Sequence, residues 1–215
     1  MKENYQKLLD KIIEKNQESG ILPSLLLHAC CAPCSSYVLE YLSHYFKITV
    51  YFYNPNITGE EEYQKRVSEI QRLIKELPVQ HPVNFVEGEY RPEDFFAMAK
   101  GLENCPERGE RCRKCYEMRL KSTAELAEKM HFDYFCTTLS ISPLKNAVWL
   151  NDIGRELSKT ISAAWLDSDF KKKEGYKRSI ELSAEYHLYR QNFCGCIFSK
   201  REAMAKGQGN STCHE

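Results

Sequence analysis

Apolar residues recur with two different periods along this chain, and the switching between them predicts alternating helices and strands. In residues 1–20, Tyr5, Leu8, Leu9, Ile12 and Ile13 share one helical face. Residues 25–29 form a short apolar run, and helical spacing returns over 35–46 with Val38, Leu42 and Tyr45. Residues 48–53 are β-branched and aromatic, a strand that stops at Asn54-Pro55-Asn56. Tyr63, Val67, Ile70, Ile74 and Leu77 then step by four, three, four and three, which predicts a helix over 60–77. A third strand is expected at 84–87, and Pro92 suits the first position of a short helix through Phe95, Phe96, Ala99 and Leu102.

The alternation continues beyond a polar, cysteine-bearing loop. A helix is predicted from Cys115 to Met130 and a strand over 134–139. Ser142 as N-cap and Pro143 as first position are expected to open a helix to Leu157. A last strand over 161–166 and a helix over 175–187 precede a loop holding Cys194 and Cys196. Strands alternating with helices of this length imply a parallel sheet with right-handed crossovers. Residues 1–205 therefore read as a single α/β domain, with 1–20 as an N-terminal helix, and 206–215 are expected to be disordered. In such a sheet ligands bind beyond the carboxyl ends of the strands, which is where Cys30, Cys31 and Cys34 fall.

Composition narrows the class. With 215 residues, 42% hydrophobic and 28% charged, the chain can bury a core without disulfide staples. Its N-terminal stretch is charged and amphipathic rather than signal-like, and no apolar run approaches the ~20 residues of a membrane span. A soluble, cytoplasmic protein with reduced thiols is expected. Net charge is zero, which gives no case for nucleic-acid binding by the chain as a whole. Locally, Arg108, Arg111, Arg113, Lys114, Arg119 and Lys121 surround one cysteine group. Lys171, Lys172, Lys173, Lys177 and Arg178 form a second basic run near Asp167 and Asp169. Each run reads either as a solvated face or as a functional patch.

The cysteines change the picture most. There are ten, and eight fall into three groups: Cys30-Cys31 with Cys34, Cys105 with Cys112 and Cys115, and Cys194-Gly195-Cys196. Cys136 sits among aromatic residues in a predicted strand and reads as a buried structural thiol, and Cys213 as a bystander in the tail. Soft thiolates suit zinc, copper(I) and iron–sulfur clusters. One four-thiolate zinc site pairing the Cys31/Cys34 and Cys112/Cys115 knuckles leaves thiolates over, and adjacent Cys30 and Cys31 are expected to point apart. An iron–sulfur cluster takes thiolates from scattered loops and accommodates the pattern better. Cys194 and Cys196 read as a redox dithiol, whose disulfide would close a small strained ring, or as part of a second metal site. The loop from His28 to Ser36 holds no glycine to wrap a pyrophosphate, which disfavours ATP use, and His28 itself reads as a core histidine.

Five segments in order carry a resemblance. They are Leu-His-Ala-Cys-Cys-Ala-Pro-Cys-Ser, Glu-Arg-Cys-Arg-Lys-Cys-Tyr-Glu-Met-Arg-Leu, Thr-Thr-Leu-Ser-Ile-Ser-Pro, Asp-Ser-Asp-Phe-Lys-Lys and Cys-Gly-Cys. Over residues 24 to 201 the chain resembles the cobalamin-independent epoxyqueuosine reductases, the QueH family. The resemblance implies an adenine nucleotide alpha-hydrolase-like, Rossmann-like fold with a cysteine-rich metal site at the C-terminal ends of the strands. It implies reduction of epoxyqueuosine to queuosine at the wobble position of tRNA, and a [4Fe-4S] cluster that maps onto Cys30, Cys31, Cys112 and Cys115. Cys194 and Cys196 would then be the redox pair, or ligands to an additional mononuclear iron. Some members carry an aspartate where this chain has Cys34, which keeps a metal-ligating role open there.

Turning an epoxide into an alkene takes two electrons and two protons and releases water, so a second electron store or a second delivery from an external electron donor is required. Asp167 and Asp169 are candidates for the acid that protonates the leaving oxygen, or else they pair with Lys171 to Lys173. The expected partner is a tRNA anticodon loop, already splayed. Lys171, Lys172 and Arg113 are candidates for its phosphates, and Tyr116, Tyr176 or Phe170 for stacking. Two alternatives differ in class: an iron–sulfur-dependent tRNA sulfur-transfer enzyme, and a zinc-stabilised RNA-binding module.

Overall fold

The computed structural model describes residues 3–209. Five parallel strands form one sheet in the order β3-β2-β1-β4-β5: β1 (Ser24–His28), β2 (Lys47–Phe52), β3 (Asn84–Glu87), β4 (Tyr134–Thr137) and β5 (Ala164–Trp165). The expected parallel α/β sheet is present. β1 lies at its centre and buries both faces, so its run Leu25-Leu26-Leu27 is apolar throughout rather than alternating. Successive side chains still divide between two cores: Leu25 and Leu27 join one, Leu26 the other. On the first face pack α1 (Tyr5–Glu18), α2 (Ala32–Leu42), α3 (Glu60–Glu76) and α7 (Gly175–Glu185). The second face carries α5 (Glu110–Lys129) and α6 (Ala147–Ser158). A small third core joins Phe95 and Ala99 of α4 (Pro92–Ala99) to Cys115 and Cys196.

Three expectations shift. Helix α5 opens at Glu110, just after Gly109 and five residues before the expected start at Cys115, so Cys112 stands on the helix and not in the expected loop. That stretch of Glu, Arg and Lys is made of good helix formers despite its polarity. Helix α6 opens at Ala147 with Asn146 as N-cap, its side chain accepting from Val148 N and Trp149 N; Ser142 instead closes a turn by accepting from Leu144 N at 3.2 Å. Beyond Cys196, α8 (Ile197–Gly209) runs into the stretch expected to be disordered; residues 210–215, with Cys213, lie outside the described residues. No described helix is long and apolar enough to cross a membrane.

The sheet order reverses at β1, with β2 on one side and β4 on the other. In open α/β sheets the crevice for ligands forms at such a switch point, outside the carboxyl ends of the strands.

Candidate metal centre

The first thiol group occupies that crevice. Cys30 follows β1, Cys31 stands at the cap position of α2 with extended backbone, and Cys34 lies in the first turn of α2. All three Sγ atoms lie within 4.8 Å of one another, and Cys30 and Cys31 are 3.7 Å apart. The expectation that these neighbours diverge is therefore corrected: the change from strand to helix at Cys31 turns both toward one point. Cys30 also meets Thr138 Oγ1 at 3.9 Å, in the 3-10 turn (Thr138–Ile141) that follows β4. Among the described residues, no other three His, Cys, Asp or Glu side chains come this close. The thiols act on one another: hydrogen bonds from Cys30 and then Cys34 hold Cys31 well below the ordinary thiol range, while those from Cys30 and then Cys31 push Cys34 well above it. One proton leaves easily and the next does not, the behaviour of a site where a soft cation can replace protons.

A second group forms beside it. Cys112 and Cys115 from α5 and Cys194 and Cys196 from the loop before α8 line a cavity of about 20 Å³ together with Asn56, Phe95 and Lys145. Burial pushes Cys112, Cys115 and Cys196 up, Cys115 to about 12, so these thiols stay protonated unless something positive binds them. Gly195 makes the loop possible. Its φ of +116° is costly for any residue with a side chain, and a Cβ there would stand 3.0 Å from Ile57 Cγ1. Thr58 N donates to Gly195 O at 3.1 Å and Arg66 Nη1 to Cys194 O at 3.2 Å, which pins both cysteines against the end of β2. All nine described cysteines are free thiols. Cys136 is the buried structural thiol its strand position predicts, with its Sγ 3.3 Å from Ser168 Oγ. Cys105 contributes mainly its carbonyl, which accepts from Arg111.

Four cations are buried among these thiols, and composition alone did not single out two of them, Lys145 and Arg66. Lys145 Nζ donates to Cys194 Sγ at 3.1 Å; burial is the largest single influence and works against its charge, yet Cys194, Tyr116 and Cys112 together outweigh it and the ammonium is held well above its ordinary value. Arg66 pairs with Glu62 at 2.6 Å. Arg119 sits deep between the groups, donating to His28 Nε2 at 3.3 Å and to Asn54 Oδ1. Arg111 is likewise buried and folds the preceding loop by donating to the carbonyls of Leu102 and Glu103. Arg111 and Arg119 thus leave the expected surface patch.

A cleft of about 210 Å³ opens above the first group. Cys30, Cys31, Cys34 and Cys194 line it, with Arg66, Lys145, Leu139, Ile141 and Phe193. Of the three residues expected to stack, Tyr176 stands at the cleft, 37% exposed, whereas Tyr116 and Phe170 are buried in the two main cores. Asp167 and Asp169 do not line the cleft: Asp167 pairs with Arg155 at 2.8 Å and Asp169 with Lys171 at 2.7 Å. They are correspondingly poor candidates for the acid. Lys171 also donates to Ser140 O at 2.7 Å, and Lys172 and Arg113 are exposed outside the cleft.

A parallel α/β sheet whose switch point carries three converging cysteines can hold a thiolate-ligated metal there. The family model described as "Epoxyqueuosine reductase QueH" matches residues 25–202. Relatives of that name include those of Streptococcus pyogenes, 42% identical over 92% of this chain and 78% of its own length, and Staphylococcus epidermidis, 42% identical over 95% and 86%. The more distant one of Thermotoga maritima is 32% identical over 85% of this chain and 93% of its own. The chain belongs to the epoxyqueuosine reductase QueH family. Among solved structures, NMN synthetase from Francisella tularensis aligns over 96% of this chain and 87% of that one, with a TM-score of 0.47 at 8% identity, a likeness too distant to speak to chemistry.

Proposed function

We propose that this chain reduces epoxyqueuosine to queuosine at the wobble position of tRNA, taking up two electrons and two protons and releasing the epoxide oxygen as water. The observation that carries the reading is the meeting of thiols from three distant segments beside one cleft, in a member of this family. The donor set fits an iron centre of the kind the resemblance implies: seven soft thiols, three buried and four partly buried, with cationic neighbours. The geometry favours a division that differs from the grouping of Cys30 and Cys31 with Cys112 and Cys115. Cys30, Cys31 and Cys34 would hold one iron, and Cys112, Cys115, Cys194 and Cys196 the thiolate set of the [4Fe-4S] cluster next to it. Bound there, such centres supply electrons one at a time and a Lewis-acid face.

The chain's own residues do the rest. Leu139, Ile141 and Phe193 line the cleft with apolar surface and exclude water from the reacting ring. Arg66 and Lys145 put positive charge where negative charge develops on the departing oxygen. Tyr176 offers a face on which the base of an unstacked anticodon loop can stack. An external one-electron donor completes the cycle, in a cytoplasm where these thiols stay reduced.

The test uses the chain purified without oxygen, a chemical one-electron reductant and tRNA carrying epoxyqueuosine, with digestion to nucleosides and mass spectrometry. Conversion to queuosine is expected; untouched epoxyqueuosine from protein with full iron and sulfide refutes the assignment. Zinc in place of iron would favour the RNA-binding alternative.

A further inference from the structure

Arg119 is the buried cation whose surroundings fit the fold least well. Its side chain is 1% exposed, and the two groups it donates to, His28 Nε2 and Asn54 Oδ1, are neutral. A ring nitrogen that accepts from a guanidinium bears no proton, so the imidazole brings no charge of its own. The third nitrogen, Nη1, is fully buried with no hydrogen-bond partner. No carboxylate among the described residues forms an ion pair with this guanidinium. Geometry sets it among the thiols: Cys115 lies one turn before it on α5, and its two acceptors flank Cys30, His28 at the end of β1 and Asn54 through Nδ2 donating to Ala29 O at 2.8 Å; burial opposes its charge, and Cys115, then Cys30 and Cys194, support it. They belong to both thiol groups.

An arginine cannot shed its proton, and a buried charge without a counter-charge costs several kcal/mol. The compensating charge must therefore come from those thiols. With all of them protonated the guanidinium is uncompensated; with thiolates bound to metal it is matched.

We propose that Arg119 is the built-in counter-ion of the thiolate–metal centre, a positioning residue that holds thiols of both groups in register and makes the centre easier to reduce. The inference rests on the metal-centre reading above. Its physical basis is simple: each added electron makes the centre more negative, and a fixed positive charge in a low-dielectric setting stabilises the reduced form.

The test is a redox titration of the reconstituted protein, followed by visible absorbance and electron paramagnetic resonance, on the unmodified chain, Arg119→Met and Arg119→Lys. In Arg119→Met, the ratio of reduced to oxidised centre at a given ambient potential is expected to fall at least tenfold, which is 59 mV for a one-electron couple. Arg119→Lys, which keeps the charge, is expected to stay within threefold of the unmodified chain. Loss of the metal in Arg119→Met with retention in Arg119→Lys also supports the charge role. An unmoved potential in Arg119→Met at full iron content overturns it, and so does equal loss of metal from both variants, which would assign the residue to packing. An unmodified chain that binds no iron–sulfur centre overturns the metal reading and this inference together, whereas a normal centre with an unmoved potential overturns this inference alone.

Discussion

The two ends of the β1–β4 strand pair treat polar groups in opposite ways. Where the strands begin, the Asp133 carboxylate accepts from Ser24 N at 2.8 Å and Ser24 Oγ at 2.7 Å, stitching one strand to the other. Both donors are satisfied, and no cation is buried there. Where the strands end, Arg66, Lys145 and Arg119 are buried among thiols, one guanidinium nitrogen has no partner, and Cys31 and Cys34 are driven apart in acidity. A satisfied network stabilises; an unsatisfied one is poised to bind what completes it. The contrast extends to arginines and cysteines of the same molecule. Arg155 is closed by Glu3 and Asp167, and Cys136 by Ser168, so both serve the fold.

The sharpest break in that comparison is a paired cysteine substitution. Cys112→Ser is expected to abolish the visible absorbance of the centre and reduction of the tRNA base, whereas Cys136→Ser retains full iron; iron and sulfide analysis of both proteins decides it. Equal metal in the two would erase the distinction between the ends of the sheet. Next in size, Tyr176→Ala should raise KM for tRNA about tenfold with kcat and iron unchanged, since a stacked base is worth about 1–3 kcal/mol. Steady-state kinetics with the modified tRNA reads the split.

Arg155→Met comes third. Its ion pairs are partly exposed, so a loss of about 1 kcal/mol or less in chemical denaturation is expected, with no change in iron content or potential. The smallest effect concerns pH. The Ser24 backbone N–H, then its hydroxyl, hold the Asp133 carboxyl below its ordinary value of 3.8. A carboxyl lowered in the folded state contributes stability above its unfolded pKa and loses it as pH falls through the folded one. Asp133→Asn should therefore cost under about 1 kcal/mol at neutral pH for this exposed side chain, and the difference from the unmodified chain should vanish below pH 3.8. Denaturation curves across pH measure it.

Much of the frame was legible because burial writes itself into local pattern. Strand β3 was predicted at the residues it occupies, and β1, β2 and β4 within two residues at each end. Elements that were missed lack that pattern. The start of α5 is charged, α8 shows no apolar helical face, and Asn146 rather than Ser142 caps α6 because its side chain reaches two amides. In the site, the cysteines announced themselves by their spacing, as did Tyr176 by its place in a basic run. Asp167 and Asp169 looked available because sequence does not show an ion pair to Arg155 or Lys171. Arg66 and Lys145 carried no signal of their own, being single cations in segments rich in charge.

The sequence by itself determined the parallel α/β architecture, the supply of soft ligands in spaced groups, and the family to which those groups belong. Tertiary structure decided which thiols share a point and which cations are sealed in beside them. The reason is one of range: a helix or strand is set by neighbours a few residues apart, while Cys34 and Cys194, or Arg119 and Cys30, come together only because the sheet order brings the ends of β1, β2 and β4 side by side.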